Sequence, residues 1–209
     1  MMTIIKKRQC LVTVGSTCFD DLIKLVLTDK CLSLLANGLG ITHLTVQYGR
    51  TSPSFQAGSF IHSGSSMLVN LIDYIADVDA LIVQSDIVIS HGGAATLLAF
   101  AKPRSSNLSH AKDESIPLKG EAKGILLAVA NSQLMDNHQS QLIEQFDKAG
   151  YCIGVEGLDL LLDALERLAG ADALAVNGNG ARSGMKKLPE IKDDPKRLKA
   201  LEFFVFGSA

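Results

Sequence analysis

Short apolar runs, each closed by a glycine or a polar turn and followed by residues at helical spacing, recur along this chain. Cys10 to Val14 is such a run, ending at Gly15. A helix is expected from Asp20 or Asp21, with Leu22, Ile23, Leu25, Val26, Leu34 and Leu35 on one face. Thr42 to Tyr48 reads as a second strand closed by Gly49, and Met67 to Ile72 as a third. Between them, Arg50 to Ser66 is rich in Ser and Gly and reads as loop. Val78 to Gln84 is expected as a helix, Asp86 to Ser90 as a strand, and Ala94 to Ala101 as a helix. Gly124 to Ala130, His138 to Ala149, Tyr151 to Val155 and Leu158 to Ala169 continue the alternation of strand and helix. Strands and helices that alternate across short connections build an α/β domain around a parallel, doubly wound sheet. Such sheets bind ligands outside the carboxyl ends of their strands, where the loops at Gly15, Gly49, His91 and Asn131 should gather.

Composition agrees with this fold and removes several functions. Of 209 residues, 47% are apolar but only 5% aromatic, with no Trp, so the core is aliphatic, as strands covered on both faces require. A net charge of −2 gives no field to attract nucleic acid, which is therefore not an expected partner. Cys10, Cys18, Cys31 and Cys152 form no CxxC pair, so neither a zinc site nor a disulfide framework is expected, and free thiols fit a reducing compartment. The N-terminal cluster Lys6-Lys7-Arg8 follows apolar residues instead of preceding them, unlike a signal peptide. No apolar run is long enough to cross a bilayer.

Residues 1–169 are read as one domain interrupted by a polar insertion at 102–123, residues 170–192 as a flexible linker around Asn177-Gly178-Asn179-Gly180, and 193–209 as a C-terminal helix. Pro195 suits the first turn of that helix, and Leu198, Leu201, Phe204 and Val205 give it an apolar face.

Three segments carry candidate chemistry. In Ser90-His91-Gly92-Gly93-Ala94-Ala95-Thr96 a strand ends, two glycines follow and a helix begins. The glycines let the backbone approach a ligand, and the open N–H groups of the helix start favour an anion. His91 and Thr96 add donors; the same pattern is equally a plain turn with Ser90 as its cap. Asn131 to Gln139 offers amides and an imidazole suited to sugar hydroxyls, although Asp136 and Gln139 have the spacing of a capping box. Gly15-Ser16-Thr17 after the first strand suits a phosphate or an acceptor, or a turn that leads into a helix capped at Asp20. Arg50, at a strand end, could bind a phosphate but reads more readily as a solvated or paired surface residue. GxSxG, HExxH, Walker A and GxGxxG patterns are absent, no general base is identified, and His43, His62 and His110 have no obvious carboxylate partner.

Four blocks in order carry a family resemblance: Val12-Thr13-Val14-Gly15-Ser16-Thr17-Cys18-Phe19-Asp20-Asp21-Leu22-Ile23, Gln47-Tyr48-Gly49-Arg50, Ser85 to Gly93, and Leu134-Met135-Asp136-Asn137-His138-Gln139. They resemble the catalytic subunit of the eukaryotic two-chain UDP-N-acetylglucosamine transferase of dolichol-linked oligosaccharide synthesis. That family is similar to the C-terminal half of the bacterial glycosyltransferase that makes lipid II. The resemblance implies half of a GT-B enzyme, an inverting transfer of a second N-acetylglucosamine to N-acetylglucosaminyl-diphosphodolichol, and no metal or other cofactor. It also implies a second subunit, anchored in the endoplasmic reticulum membrane, that recruits the chain from the cytoplasm and contributes acceptor binding. By motif, His91, Gly92, Gly93 and Thr96 would face the donor pyrophosphate, and Asn137, His138 and Gln139 the donor sugar. Gly15, Ser16 and Thr17 would lie where donor and lipid-linked acceptor phosphates meet, and Leu201, Phe204 and Val205 would dock the partner.

This chain departs from the family at Ala95, which replaces a second glycine, at Ala99, which replaces an acidic residue, and in the insertion. Those departures favour, as the second reading, a homologue that binds partner or nucleotide without turnover. A dinucleotide-binding oxidoreductase ranks third, because its glycine fingerprint and ribose-binding acid are missing.

Overall fold

The computed structural model describes residues 7–50, 52, 54–102, 124–131 and 137–176. The turn at 132–136, residues 103–123 of the insertion, His110, and the expected linker and C-terminal helix beyond 176, with Leu201, Phe204 and Val205, lie outside the described residues.

Among the described residues, seven strands form one sheet: β1 (Gln9–Thr13), β2 (His43–Gln47), β3 (Gly58–Ile61), β4 (Leu68–Ile72), β5 (Ile87–Ser90), β6 (Ile125–Val129) and β7 (Ile153–Val155). Their order is β3-β4-β2-β1-β5-β6-β7. All neighbours pair in parallel except β3, which runs antiparallel to β4. The helices are α1 (Asp20–Val26), α2 (Asp29–Ser33), α3 (Val78–Gln84), α4 (Ala94–Ala101), α5 (Asn137–Lys148) and α6 (Leu161–Val176).

Alternation along the central strands feeds two cores. Val12, Val14, Leu44, Val46, Ile87, Ile89, Leu127 and Val129 point to one face, beneath residues of α1, α2 and α6. Leu11, Val88, Leu126 and Ala128 point to the other, beneath residues of α3, α4 and α5. A strand buried on both faces has no polar side to show, which is why these runs read as continuously apolar.

The chain lays down β1, then β2 and β4 to one side of it, and returns to place β5 on the other side. The loops leaving β1 and β5 therefore diverge, and the crevice between them is the topological switch point. Register aligns Ile72, Gln47, Thr13, Ser90 and Ala128 as one rung just beneath the loops.

α3 and α4 occupy the residues the sequence predicts, and Asp77 starts α3 by accepting the Ala80 N–H at 3.0 Å. Four expectations need correction. The single first helix is two, because Thr28 Oγ1 accepts the Cys31 N–H at 3.3 Å and opens a fresh helix. A π-helical turn (Leu34–Gly38) then follows. The loop between Arg50 and Ser66 contains β3, whose four residues are all exposed on the sheet edge. His62 does have a carboxylate partner: its Nε2 lies 3.0 Å from Asp29 Oδ1, and its Nδ1 3.2 Å from Ser65 Oγ. This buried imidazole ties the β3–β4 turn to the start of α2. Finally, α6 follows a 3-10 turn (Leu158–Leu160) and runs through Gly170 to Val176, where a linker was expected to begin.

Candidate functional site

The turn after β5 is built by small distances. Ser90 is fully buried, and its Oγ accepts the Gly92 N–H at 3.2 Å. Gly92 has φ +75°, a conformation that favours glycine. A Cβ there would fall 2.6 Å from Cγ1 of Ile143 on α5. Gly93 is the N-cap residue of α4 and has no side chain to cap the first turn. Ser90 thus braces the turn without capping the helix. The opening N–H groups of α4 stay available, at the positive end of its dipole.

His91 is only 8% exposed. Its ring folds back over Gly93, where a Cβ would stand 2.6 Å from Nε2. Its backbone N–H donates to the Thr13 carbonyl at 3.4 Å. Burial pushes the imidazole below its ordinary value, while the Thr13 carbonyl pulls the other way. Nδ1 is buried and makes no hydrogen bond among the described residues. A neutral imidazole with one unsatisfied nitrogen therefore lies beside an uncapped helix start. Thr96 is buried in the first turn of that helix.

The loop after β1 closes the other side. Gly15 has φ +62°, and a Cβ on it would sit 3.4 Å from His91 Cε1, so the Gly15 loop and the His91 turn face each other directly. The Thr17 N–H returns to the Val14 carbonyl at 3.2 Å, Ser16 is exposed, and Thr17 is half-buried. Gly49 (φ +89°) packs behind this loop, and a Cβ on it would stand 3.1 Å from the Thr17 carbonyl oxygen. The loops expected to gather after β1, β2 and β5 do meet. Asn131 is buried at the end of β6.

Of the residues expected to face a sugar, Asn137 and His138 open α5. Gln139 does something the sequence did not foretell: its Nε2 donates to the His91 carbonyl at 2.6 Å. That bond ties the start of α5 to the turn and leaves the amide oxygen to accept. Arg50 is exposed, with its guanidinium 3.7 Å from the centre of the Tyr74 ring. Ala95 is exposed at the first turn of α4, so its methyl does not press on the strand, and Ala99 packs against the second core. No group of three or more potential metal ligands occurs among the described residues.

Sequence reasoning missed the part played by Gln47. Its buried carboxamide receives Gly15 N–H at 2.9 Å and donates to the Gly15 carbonyl at 2.7 Å. The available signal was an amide between the apolar Val46 and Tyr48, just before Gly49.

The sequence pattern of the glycosyltransferase family 28 C-terminal domain matches residues 9–103. The chain is 32% identical over 174 residues to the UDP-N-acetylglucosamine transferase subunit ALG13 of Cryptococcus neoformans, spanning 72% of this chain and 78% of that one. Among solved structures, the solution structure of an ALG13 superposes with TM-score 0.55 at 21% identity, covering 96% of each chain. Acinetobacter baumannii MurG superposes with TM-score 0.50 at 14% identity, covering 94% of this chain and 46% of that one. These last two likenesses show the fold, that of a GT-B half domain. By its sequence relatives, the chain belongs to glycosyltransferase family 28, in the group of UDP-N-acetylglucosamine transferase subunits named ALG13.

Proposed function

We propose that this chain is the donor-binding subunit of a two-chain transferase that moves N-acetylglucosamine from UDP-N-acetylglucosamine to N-acetylglucosaminyl-diphosphodolichol. The observation that carries the reading is the meeting of the Gly15 loop and the His91-Gly92-Gly93 turn at the uncapped start of α4. In this reading the donor diphosphate lies against the opening N–H groups of α4, with His91 and Thr96 beside it. The sugar extends toward Asn137, His138 and Gln139. Gly15, Ser16 and Thr17 lie at the junction with the acceptor phosphates.

The acceptor hydroxyl attacks the anomeric carbon from the face opposite UDP. The bond from that carbon to the phosphate oxygen breaks, its electron pair leaves with UDP, and the configuration inverts. In this reading negative charge grows on the departing phosphate, the opening N–H groups of α4 and the His91 imidazole stabilise it, and the transfer proceeds without a metal. The base that takes the hydroxyl proton and the acceptor-binding surface come from the membrane-anchored partner. That partner holds the chain at the cytosolic face of the endoplasmic reticulum. Leu201, Phe204 and Val205 near the C-terminus are assigned to docking it. No helix among the described residues is long and apolar enough to cross a membrane, so in this reading attachment runs through the partner.

Ala95 favours a second reading. Its exposed methyl occupies the helix turn that would meet the phosphates, as in a subunit that binds its partner without turnover. The test is sugar transfer to a short-chain acceptor by this chain, its partner, and the two together. Transfer by the pair alone is expected; a stable pair without turnover selects the second reading.

A further inference from the structure

We propose that Gln47 is the positioning residue of the donor site: its carboxamide locks the Gly15–Thr17 loop to the strand ends and so fixes the wall that faces His91. The inference rests on the donor-transfer reading above and adds a residue to it.

Gln47 ends β2 and is 3% exposed. Its Oε1 accepts from Thr13 Oγ1 at 2.7 Å, from the Val14 N–H at 3.2 Å and from the Gly15 N–H at 2.9 Å. Its Nε2 donates to the Gly15 carbonyl at 2.7 Å and to the Asp73 carbonyl at 3.0 Å. The partners dictate which way the amide points, since backbone N–H groups only donate and carbonyls only accept. One side chain thereby joins the ends of β1, β2 and β4.

Gly15 is the focus of this network. Both of its backbone polar groups bond to Gln47, and Thr13 Oγ1 takes a further share of its N–H at 3.3 Å. Gly15 lies in the left-handed region at φ +62°, beyond the last residue of β1, so regular sheet bonding does not hold it. An apolar side chain would fill the same volume without the cost of burying an amide. It would not hold Gly15, and Gly15 stands directly across from the His91 ring. Misplacing a group that lines a transfer site by about 1 Å costs on the order of 10²-fold in rate. The lock therefore bears on turnover more than on donor affinity, because the α4 start and the His91 turn remain intact without it.

The test uses the complex of this chain with its partner subunit, carrying Gln47→Glu or Gln47→Met. Ionised glutamate aims an oxygen at the Gly15 and Asp73 carbonyls and repels both, whereas its protonated form donates to one of them. At neutral pH, kcat should fall about 10- to 100-fold while KM for UDP-N-acetylglucosamine stays within about threefold. As the pH falls, kcat of Gln47→Glu relative to the parent should recover; that of Gln47→Met should stay low and flat. A kcat within about twofold of the parent in both folded variants, or a Gln47→Glu loss indifferent to acidification, overturns the proposal. Thr13→Val, which removes one of the five hydrogen bonds to Gln47, is the gentler companion should the Gln47 variants fail to fold. Because Thr13 Oγ1 also takes a share of the Gly15 N–H, the readout is amide exchange at Val14, whose N–H donates to Gln47 and not to Thr13: faster exchange there supports the lock, and unchanged exchange refutes it. That exchange readout does not depend on turnover. Absence of transfer by the unmodified complex would therefore refute the donor-transfer reading without being mistaken for failure of the lock.

Discussion

Replacing Gly92 with alanine should destabilise the domain, and removing the Ile143 side chain should cancel part of the loss. Gly92 holds φ +75°, where an L side chain costs roughly 1–2 kcal/mol. The new methyl would fall 2.6 Å from Ile143 Cγ1 and closer still to Cδ1. Ile143 is a buried residue of α5 with little room to retreat, and overpacking of this kind costs about 1–3 kcal/mol. Together these give a loss of roughly 2–5 kcal/mol for Gly92→Ala. Ile143→Ala alone should cost about 2–5 kcal/mol through its cavity.

Independent losses would add, but the double variant lacks the two atoms that the methyl strikes. Its loss should fall short of the sum by the overpacking contribution, about 1–3 kcal/mol, leaving only the backbone strain and the cavity. Urea unfolding of the four proteins supplies the cycle, provided the m-values agree. Additivity within about 0.5 kcal/mol would refute the claim that Gly92 is required by the approach of α5 to the turn.

Two further outcomes follow from burial. The lowered pKa of His91 means that below about pH 6.5 the unfolded chain takes a proton before the folded chain does, so stability falls as pH drops through that region. His91→Asn should flatten the decline in urea midpoint; an unchanged slope would assign it elsewhere, His43 being another described histidine with a lowered pKa. A thiol reagent should modify exposed Cys18 first and leave Cys10, Cys31 and Cys152 protected, since all three are buried with raised pKa values, that of Cys31 pushed up to about 12. Equal labelling of all four in the folded chain would contradict the core described above.

The parallel sheet was legible because most of its strands are largely apolar runs ended by turn residues, and α3 and α4 could be bounded from local signals. β3 was not, because its Gly58-Ser59-Phe60-Ile61 is exposed on every residue and so carries no alternation between a buried and a wet side. The break at Thr28 was hidden because the apolar face continues across it, with Leu22, Val26, Cys31 and Leu35 all buried. Gly170 misled because an exposed glycine with open space around it is tolerated inside a helix at modest cost. At the site, the His91-Gly92-Gly93 turn was readable as a strand, two glycines and a helix. What joins it to its surroundings was not: Gln139 reaches the His91 carbonyl across 48 residues, and Gln47 reaches Gly15 across 32. Contacts at such separations leave no periodic trace, and Asp29 with His62, 33 residues apart, escaped for the same reason.

The central claim is that the turn after β5 holds the donor diphosphate with His91 folded over Gly93. Gly93 has φ −63° and ψ 137°, a backbone that alanine adopts freely, so losing glycine at the helix cap should cost no more than about 1 kcal/mol. The added methyl, however, would stand 2.6 Å from His91 Nε2 and must move the ring. The most direct measurement is therefore kcat/KM for UDP-N-acetylglucosamine in the partner complex carrying Gly93→Ala. A fall of roughly 10²-fold, in a variant that still folds after losing the roughly 1–3 kcal/mol that displacing the buried ring costs, is the predicted result. An unaltered kcat/KM in a folded Gly93→Ala complex would contradict the account.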